Sequence, residues 1–454
     1  MKNLNQLKYI IPVVISLVAL PSCKQFLDVK PKDSVADDLT IFDKASSETA
    51  VRGIYRGLAA DNYYGLNFTS IGYLSGDNVK WTGSQSIVQD FINHNVKADN
   101  ATISGVWAAI YNVINRANNA IAKIPGVNDV NLLQSEKNQL IGEAYFIRAL
   151  AYFDLARTWG GVQIVTTPTT SATDKNGTPR STLAQTYAQV LSDLNTAESL
   201  LITPTAQNPI RANKETVWAL KARYYLYQGD WANAEKYASQ VLGDTQYYSL
   251  LKPYSAWFAN NVVASKESVF ELAYSATYTN GERGQWQPPV NGGTRQWAPN
   301  DAFVALVNNP LVGGTRSSLV ASAAIGWYGN LYYRSPATDP AYIIRIAEIY
   351  LIRAEARTQQ YIVSGVTTQR DGALADLNLI RDRSGLVPTT ATTGADILLA
   401  IENENRVEFG LEGHRWFDLV RTGRAAAVLG ITDTRKYLLP IPVDQVSADL
   451  PQNP

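Results

Sequence analysis

The clearest hydrophobic pattern in the chain runs through residues 141–156. Apolar and amphipathic residues recur there at steps of three and four, at Ile141, Ala144, Tyr145, Arg148, Ala149, Tyr152, Phe153 and Ala156. These steps are the period of an α-helix. Phe146, Leu150 and Leu155 fall on the other faces, so we expect this helix to be packed nearly all round. A Trp-Gly-Gly sequence at 159–161 predicts its end.

A second pattern, over residues 217–242, divides into two helical runs separated by Gly229-Asp230. Small residues at Ala222 and Ala234 would let the two helices approach closely, which matches the tetratricopeptide layout of paired helices. Further helices are predicted over 104–124, 183–201, 343–358 and 371–383. The pairs do not recur at a fixed period of about 34 residues. The predicted fold class is therefore all-α, a scaffold of degenerate tetratricopeptide helix pairs.

Two stretches, about 61–100 and 250–340, lack the helical period and contain many Gly, Pro, Asn, Trp and Tyr residues. The second is densest in aromatic residues from 274 to 340. Long irregular segments inside a compact protein are usually functional or disordered, and these are too aromatic to be disordered. We expect them to form one loop-rich side of the molecule, which carries the ligand.

The N-terminus has the pattern of an export signal. Lys2 and Lys8 flank an apolar run over residues 9–20. Twelve residues of helix rise about 18 Å, which is too short for a hydrocarbon core of about 30 Å. The run ends just before Cys23, as in a bacterial lipoprotein signal in which the cysteine is lipidated. We therefore predict a signal peptide over 1–22, a lipidated tether over 23–40 and a single domain over 41–454.

Composition narrows the function. The 454 residues carry 40 basic and 40 acidic side chains, and this balance argues against nucleic-acid binding. One cysteine and two histidines exclude a disulfide framework and any zinc site that needs several such ligands. No cofactor and no metal site is predicted. Tryptophan and tyrosine, at 10 and 25 residues, outnumber 11 phenylalanines, and their polar edges suit contacts in which one side stacks and the other hydrogen-bonds.

Several sequence segments, in their order along the chain, resemble those of the SusD-like outer-membrane lipoproteins (the SusD/RagB family). They are Ser22-Cys23 with Phe26-Leu27-Asp28 and Pro31, the sequence GEAYFIRALAYFDL at 142–155 followed by Trp159-Gly160, and residues 344–356, 377–381 and 408–419. Each stretch alone is a moderate signal, and their common order behind a lipoprotein signal is a strong one. The resemblance covers nearly the whole chain.

The resemblance implies a glycan-capturing protein on the outer-membrane surface. Such a protein sits over a SusC-like TonB-dependent transporter and passes oligosaccharides to it. It implies an all-α fold, with tetratricopeptide helices on one side and loop-rich structure carrying the ligand on the other. The alternative is an oligopeptide-binding lid of the RagB kind, or a purely structural partner of the transporter. A peptide binder would favour edges that pair with the peptide backbone, whereas a glycan binder needs exposed rings.

A pyranose ring has an apolar C–H face and a rim of hydroxyl groups, which match an aromatic plane and polar side chains respectively. The aromatic residues of the irregular stretches are therefore the candidate ligand contacts. The predicted ligand-binding residues are Trp81 with Asp77 and Asn78, Trp286 and Trp297 with Arg295, Trp327, and Tyr278; further candidates are Tyr63, Tyr64 and Tyr328. Tryptophans assigned to the core are Trp107, Trp159, Trp218, Trp231 and Trp416. The alternative is that the loop rings fill the scaffold beneath the loops.

The sequence does not favour an enzyme. It contains no G-x-S-x-G, no phosphate-binding G-x-x-x-x-G-K-[ST] and no H-E-x-x-H. Glu404 and Glu408 lie one turn apart on one predicted helix face, and two such carboxylates cannot easily flank a sugar from opposite sides. Because that face is apolar, we expect buried charges there to pair. The hypothesis is that one or more glutamates pair with arginines and so lock the C-terminal helix in place. The glutamates are Glu404, Glu408 and Glu143, and the arginines are Arg148, Arg381 and Arg415.

Overall fold

The structure is a computed structural model, and it describes residues 40–453 apart from 172, 260, 261 and 263. The predicted signal peptide, Cys23 and all but the last residue of the predicted tether lie outside the described residues. The described helices are α1 (Lys44–Leu58), α2 (Asn67–Leu74), α3 (Ser86–Ile92), α4 (Ala101–Lys123), α5 (Gln134–Trp159), α6 (Leu183–Leu200), α7 (Lys214–Gln228), α8 (Trp231–Leu242), α9 (Glu282–Trp286), α10 (Asp301–Asn308), α11 (Ile346–Ser364), α12 (Thr367–Arg383), α13 (Gly394–Glu408), α14 (Arg415–Arg421) and α15 (Ala425–Leu429). None of them combines the length and the apolar content needed to cross a bilayer.

Short strands occur only as antiparallel pairs among the described residues. The strands are β1 (Val79–Trp81), β2 (Ser268–Leu272), β3 (Trp297–Pro299), β4 (Val320–Ala323), β5 (Gly326–Gly329) and β6 (Ala341–Arg345). The pairs are β1 with β3, β2 with β6, and β4 with β5. The strands are too few and too short to build a sheet layer, so the predicted all-α class is confirmed.

Helices that follow one another along the chain pack together in pairs. α4 packs on α5, α5 on α6, α7 on α8, and α11 on α12, while α8 also packs on α11 and joins two of these pairs. The turn between α7 and α8 shows how the sequence sets a pair. Gly229 ends α7 in the left-handed conformation at φ 68°, and the Asp230 side chain then accepts a hydrogen bond from the backbone N–H of Asn233 and caps α8.

The helix predicted over residues 141–159 is confirmed as α5, which begins earlier, at Gln134. From Leu140 onward almost every side chain of α5 is buried, as the lack of a polar face predicts. The helical tryptophans Trp107, Trp159 and Trp416 are buried as predicted, whereas Trp218 and Trp231 are only partly buried.

The structure departs from the predicted elements at two places. The helix expected over 343–358 begins at Ile346, because residues 341–345 form β6, whose aromatic and β-branched side chains suit a buried strand. The stretch 61–100, expected to be irregular, contains α2, β1 and α3. α2 is apolar on most faces and is buried, so it shows no amphipathic period.

A network of buried charges joins the C-terminal helices to the strands. We call it the buried ion network; it consists of the arginines Arg316, Arg345, Arg381 and Arg383 and the glutamates Glu267, Glu404, Glu408 and Glu412. Its ion pairs are Arg316–Glu404, Arg316–Glu408 at 2.9 Å, Arg345–Glu267 at 3.1 Å, Arg345–Glu408 at 3.0 Å, Arg345–Glu412 at 2.7 Å, Arg381–Glu404 at 3.0 Å, Arg383–Glu267 and Arg383–Glu408. The network contains four positive and four negative side chains, so its net charge is zero.

Glu408 lies at the centre of this network. Burial opposes its charge, but Arg383, Arg316 and Arg345 more than offset that cost, and the pKa of Glu408 is lowered well below its ordinary value. The carboxylates Glu404 and Glu408 are therefore held by arginines and are not arranged as an acid–base pair for hydrolysis.

The hypothesis of charge pairing along α13 is confirmed for Glu404 with Arg381. The other predicted charges find different partners: Arg148 pairs with Asp193 at 2.7 Å, Glu143 with Arg211 at 2.6 Å, and Arg415 with Asp77 at 2.7 Å. The prediction that these charges pair is confirmed in kind, but most partners come from segments whose position the helical period does not give.

Replacing Arg345 with Met should lower the free energy of unfolding by about 3–5 kcal/mol, because three glutamates lose a buried partner. Denaturant unfolding of the domain measures this change. The control is Arg435→Met, which removes an exposed pair with Asp433 and should leave the free energy of unfolding nearly unchanged. Equal effects of the two substitutions would show that the buried ion network does not hold the fold.

Candidate functional site

The most exposed of the predicted aromatic residues lies on the β4–β5 hairpin. Trp327 is 39% exposed, and Ile325 in the turn before it is 53% exposed. Gly326 separates them with φ 109°, a conformation that L side chains rarely adopt, which lets the turn close within two residues. The hairpin therefore presents an indole and an apolar side chain to water.

Trp81 lies at the end of β1 and is the register partner of Trp297 in β3. Its side chain is partly exposed. Gly83 packs directly on the indole: a Cβ at Gly83 would lie 2.2 Å from Cζ2 and 2.7 Å from each of the two ring atoms beside it. Because these distances place that position above the ring plane, Gly83 covers this part of one face of the Trp81 indole.

Arg295 holds the two tryptophan-bearing segments together. Its Nε donates to the carbonyl of Trp327 at 2.8 Å, and its own carbonyl accepts from the hydroxyl of Thr82, the residue after Trp81. The backbone N–H of Thr82 also donates to the carbonyl of Gln296 at 2.8 Å. We call the surface formed by Trp81, Arg295, Ile325 and Trp327 the aromatic face.

The guanidinium group of Arg295 has no carboxylate partner among the described residues. Desolvation lowers the pKa of Arg295, although the group stays charged at neutral pH because the ordinary value is so high. Its backbone adopts φ 46°, in the left-handed region that non-glycine residues seldom occupy. Arg295 is only 9% exposed, and its guanidinium lies against Gly326, where a Cβ would come within 2.9 Å of Nη2.

Trp286 and Trp297 do not belong to the exposed surface, which corrects their predicted role. Both are buried, with ring centroids 5.8 Å apart, and each packs against Tyr73 at 5.2 and 5.3 Å. Gly329 of β5 lies on Trp286, where a Cβ would come within 2.5 Å of the ring. These rings and Tyr73 form a buried aromatic cluster against the strands of the aromatic face, which we call the aromatic floor.

Asp77 and Asn78 are also structural, because their polar atoms are used within the protein. Asp77 forms ion pairs with Arg415 at 2.7 Å and Arg406 at 3.1 Å. The buried Asn78 accepts from Arg406 Nε at 2.9 Å and donates to the Arg406 carbonyl at 3.1 Å. They tie the start of β1 to α13 and α14 and are not free to bind a ligand.

Tyr278 lies apart from the strands of the aromatic face, and its ring and hydroxyl already contact other residues of the protein. The Arg56 guanidinium covers its ring, its hydroxyl donates to the Ala59 carbonyl at 2.6 Å, and Tyr274 packs beside it at 5.4 Å. Of the further candidates, Tyr63 and Tyr64 are buried and donate to Asp154, whereas Tyr328 is partly exposed.

Sequence reasoning missed Glu282, which lies buried in the aromatic floor. One carboxyl oxygen accepts from the Tyr73 hydroxyl and from Trp286 Nε1, both at 2.9 Å, and the other has no hydrogen-bond partner among the described residues. Burial raises the pKa of Glu282 to about 8, so the group is protonated at neutral pH. No residue pattern around it distinguishes it from a surface glutamate. Within the described part of the chain, no cluster of three or more Asp, Glu, His or Cys residues could hold a metal ion.

Two models of one protein family match the chain. One, described as starch-binding and associating with the outer membrane, matches residues 25–226, and the other, described as the SusD family, matches residues 328–437. A SusD-like protein of Formosa agariphila is 27% identical, over 95% of this chain and 94% of its own length.

The fold is also found in solved structures. A SusD superfamily protein of Bacteroides thetaiotaomicron has a TM-score of 0.77 and 26% identity, covering 90% of this chain and 99% of that one. A laminarin-binding SusD-like protein has a TM-score of 0.78 and 23% identity, covering 91% and 99%.

Replacing Glu282 with Gln should change how stability depends on pH. In the native chain the raised pKa means that the folded state keeps a proton that the unfolded state loses above about pH 4.5, so Glu282 costs stability increasingly from about pH 4.5 to 8. Glutamine stays neutral and still accepts from Tyr73 and Trp286. The variant should therefore gain Tm relative to the native chain as pH rises from 5 to 8, by about a few degrees.

Paired thermal melts at pH 5, 6, 7 and 8 measure this difference. Glu48, on the exposed side of α1, provides a matched Glu→Gln control whose Tm difference should stay flat. A flat difference for Glu282→Gln as well would show that the buried carboxyl is not protonated in the folded state.

Proposed function

Because this chain belongs to the SusD-like family, we propose that it binds oligosaccharides at the aromatic face and delivers them to a SusC-like TonB-dependent transporter. The observation that carries the proposal is the pair of accessible indoles, Trp81 and Trp327, joined by an arginine without a carboxylate partner. Indole planes match the C–H face of a sugar, and the guanidinium donates to its hydroxyls.

The matched family description, starch-binding and associating with the outer membrane, supports this ligand class. So does the laminarin-binding protein, which shares the fold. Within the aromatic face, Trp327 is 39% exposed and Trp81 is partly exposed. Exposed rings are what a glycan ligand needs, and on this ground we favour a glycan over the alternative oligopeptide ligand.

Location is part of the same proposal. The lipid anchor would be attached at Cys23, behind the signal over residues 1–22, and would hold the domain on the extracellular side of the outer membrane. The domain would act by binding alone, without catalysis, since no acid–base pair lies at the aromatic face.

Trp81→Ala and Trp327→Ala should each weaken oligosaccharide affinity about tenfold, because each removes one stacking plane. Isothermal titration of the mature domain with laminarin and starch oligosaccharides, then with other plant and microbial glycans, measures the change. The control is Phe42→Ala, which removes a 57% exposed ring just before α1. Native affinity in both tryptophan variants would contradict the assignment of the site, and binding of oligopeptides but no glycan would contradict the function.

Cys23→Ala should abolish lipid attachment, because the thiol is the only cysteine in the chain that could carry it. Metabolic labelling with an alkyne fatty acid, followed by membrane fractionation, measures the loss of label and of outer-membrane association. Ser22→Ala keeps the thiol and should be labelled like the native chain. Labelling that persists in Cys23→Ala would contradict the proposal that Cys23 carries the lipid anchor.

A further inference from the structure

A second concave site lies among the helices, away from the aromatic face. It is a cleft of about 760 Å³ between the α7–α8 turn, α11, α13 and α14, which we call the helical cleft. This volume is within the range of small-molecule sites. The helical cleft shares no residue with Trp81, Arg295, Ile325 or Trp327.

One side of the helical cleft is apolar. Trp231, the first residue of α8, contributes a partly buried indole beside the tight turn at Gly229. Leu398 and Leu399 of α13 also line the cleft, and Leu399 is 48% exposed. Apolar side chains left uncovered in a cavity of this size mark a surface that a ligand can cover.

The polar side of the helical cleft is charged but balanced. Arg421 donates to both carboxylate oxygens of Glu355, at 2.6 and 3.0 Å, and to Asp418 at 3.0 Å. Arg424 donates to Glu402 at 2.7 Å. The lining therefore presents donors and acceptors side by side, without a surplus of charge that would attract an ion.

Arg421 is about nine-tenths buried, and its Nε has no hydrogen-bond partner among the described residues. Because this nitrogen has essentially no accessible surface, the unpaired N–H is a cost within the fold and adds no donor for a ligand. Asn405 adds an uncharged amide to the same lining.

We propose that the helical cleft is a second saccharide site, which takes a neutral mono- or disaccharide. A sugar hydroxyl both donates and accepts, and adjacent Arg and Glu or Asp groups offer both functions, while Trp231 and the leucines match the C–H face. The proposal adds a site to the proposed function and does not depend on the aromatic face.

The test observes the two sites separately. The mature domain is labelled with 5-fluorotryptophan, and the resonances of Trp231, Trp81 and Trp327 are assigned by Trp→Phe variants. The probes are maltose, laminaribiose, xylobiose and mannobiose. With at least one of them, the Trp231 resonance should shift saturably at millimolar concentration, and it should do so equally in a Trp81→Ala/Trp327→Ala double variant.

Leu399→Lys places an unpaired charge in the helical cleft and should weaken the Trp231 response at least about tenfold. Leu379→Lys is the matched control, because Leu379 is 45% exposed on α12 and does not line the cleft. Both leucines are surface positions of helices, so both variants should fold, and circular dichroism checks that they do.

Three outcomes would contradict the proposed second site. The Trp231 resonance shifts with none of the disaccharides, it shifts only with a neutral tripeptide, or its shift is unaffected by Leu399→Lys. If Trp327 responds while Trp231 does not, the second site fails and the proposed function stands. If Trp231 alone responds to saccharides, the second site stands and the assignment of the aromatic face fails.

Discussion

The rest of the structure depends on the buried ion network, in which four arginines and four glutamates neutralise each other, all except Arg381 almost completely away from water. Such charges are costly to bury singly, so the network forms only when β6, α12, α13 and the residue before β2 are all in place. It fixes α13, and Arg406 of that helix holds Asp77 and Asn78. β1 begins at the next residue, so the position of Trp81 follows from charges buried elsewhere in the molecule.

Much of the fold follows from sequence, because long helices repeat their apolar positions every three to four residues. The α7–α8 pair and α6 were predictable on this basis within a few residues at each end, and so was the C-terminal end of α5, although α5 begins seven residues before its predicted start. β6 was not, because five buried residues in a row show no period that separates a strand from the first turn of a helix. α2 and α3 escaped detection for a similar reason, since each has only seven or eight residues.

The site was predictable only in part. Trp81 and Trp297 are register partners on neighbouring three-residue strands, yet only Trp81 reaches the surface, because Tyr73 and Trp286 cover Trp297. Nothing in the local sequence of a loop tryptophan tells which side of its strand is covered. The same limit applied to Asp77, whose carboxylate looks suited to sugar hydroxyls but is taken by arginines more than three hundred residues away. Long-range pairing decides these roles, and a single sequence does not show it.

Gly83 fixes the position of the Trp81 ring. Its backbone lies over the Cζ2 edge of the indole, where a Cβ would come within 2.2 Å of the ring. A side chain at this position would push the indole out of place. The absence of a single carbon atom therefore determines how far this ring can lie against its own chain.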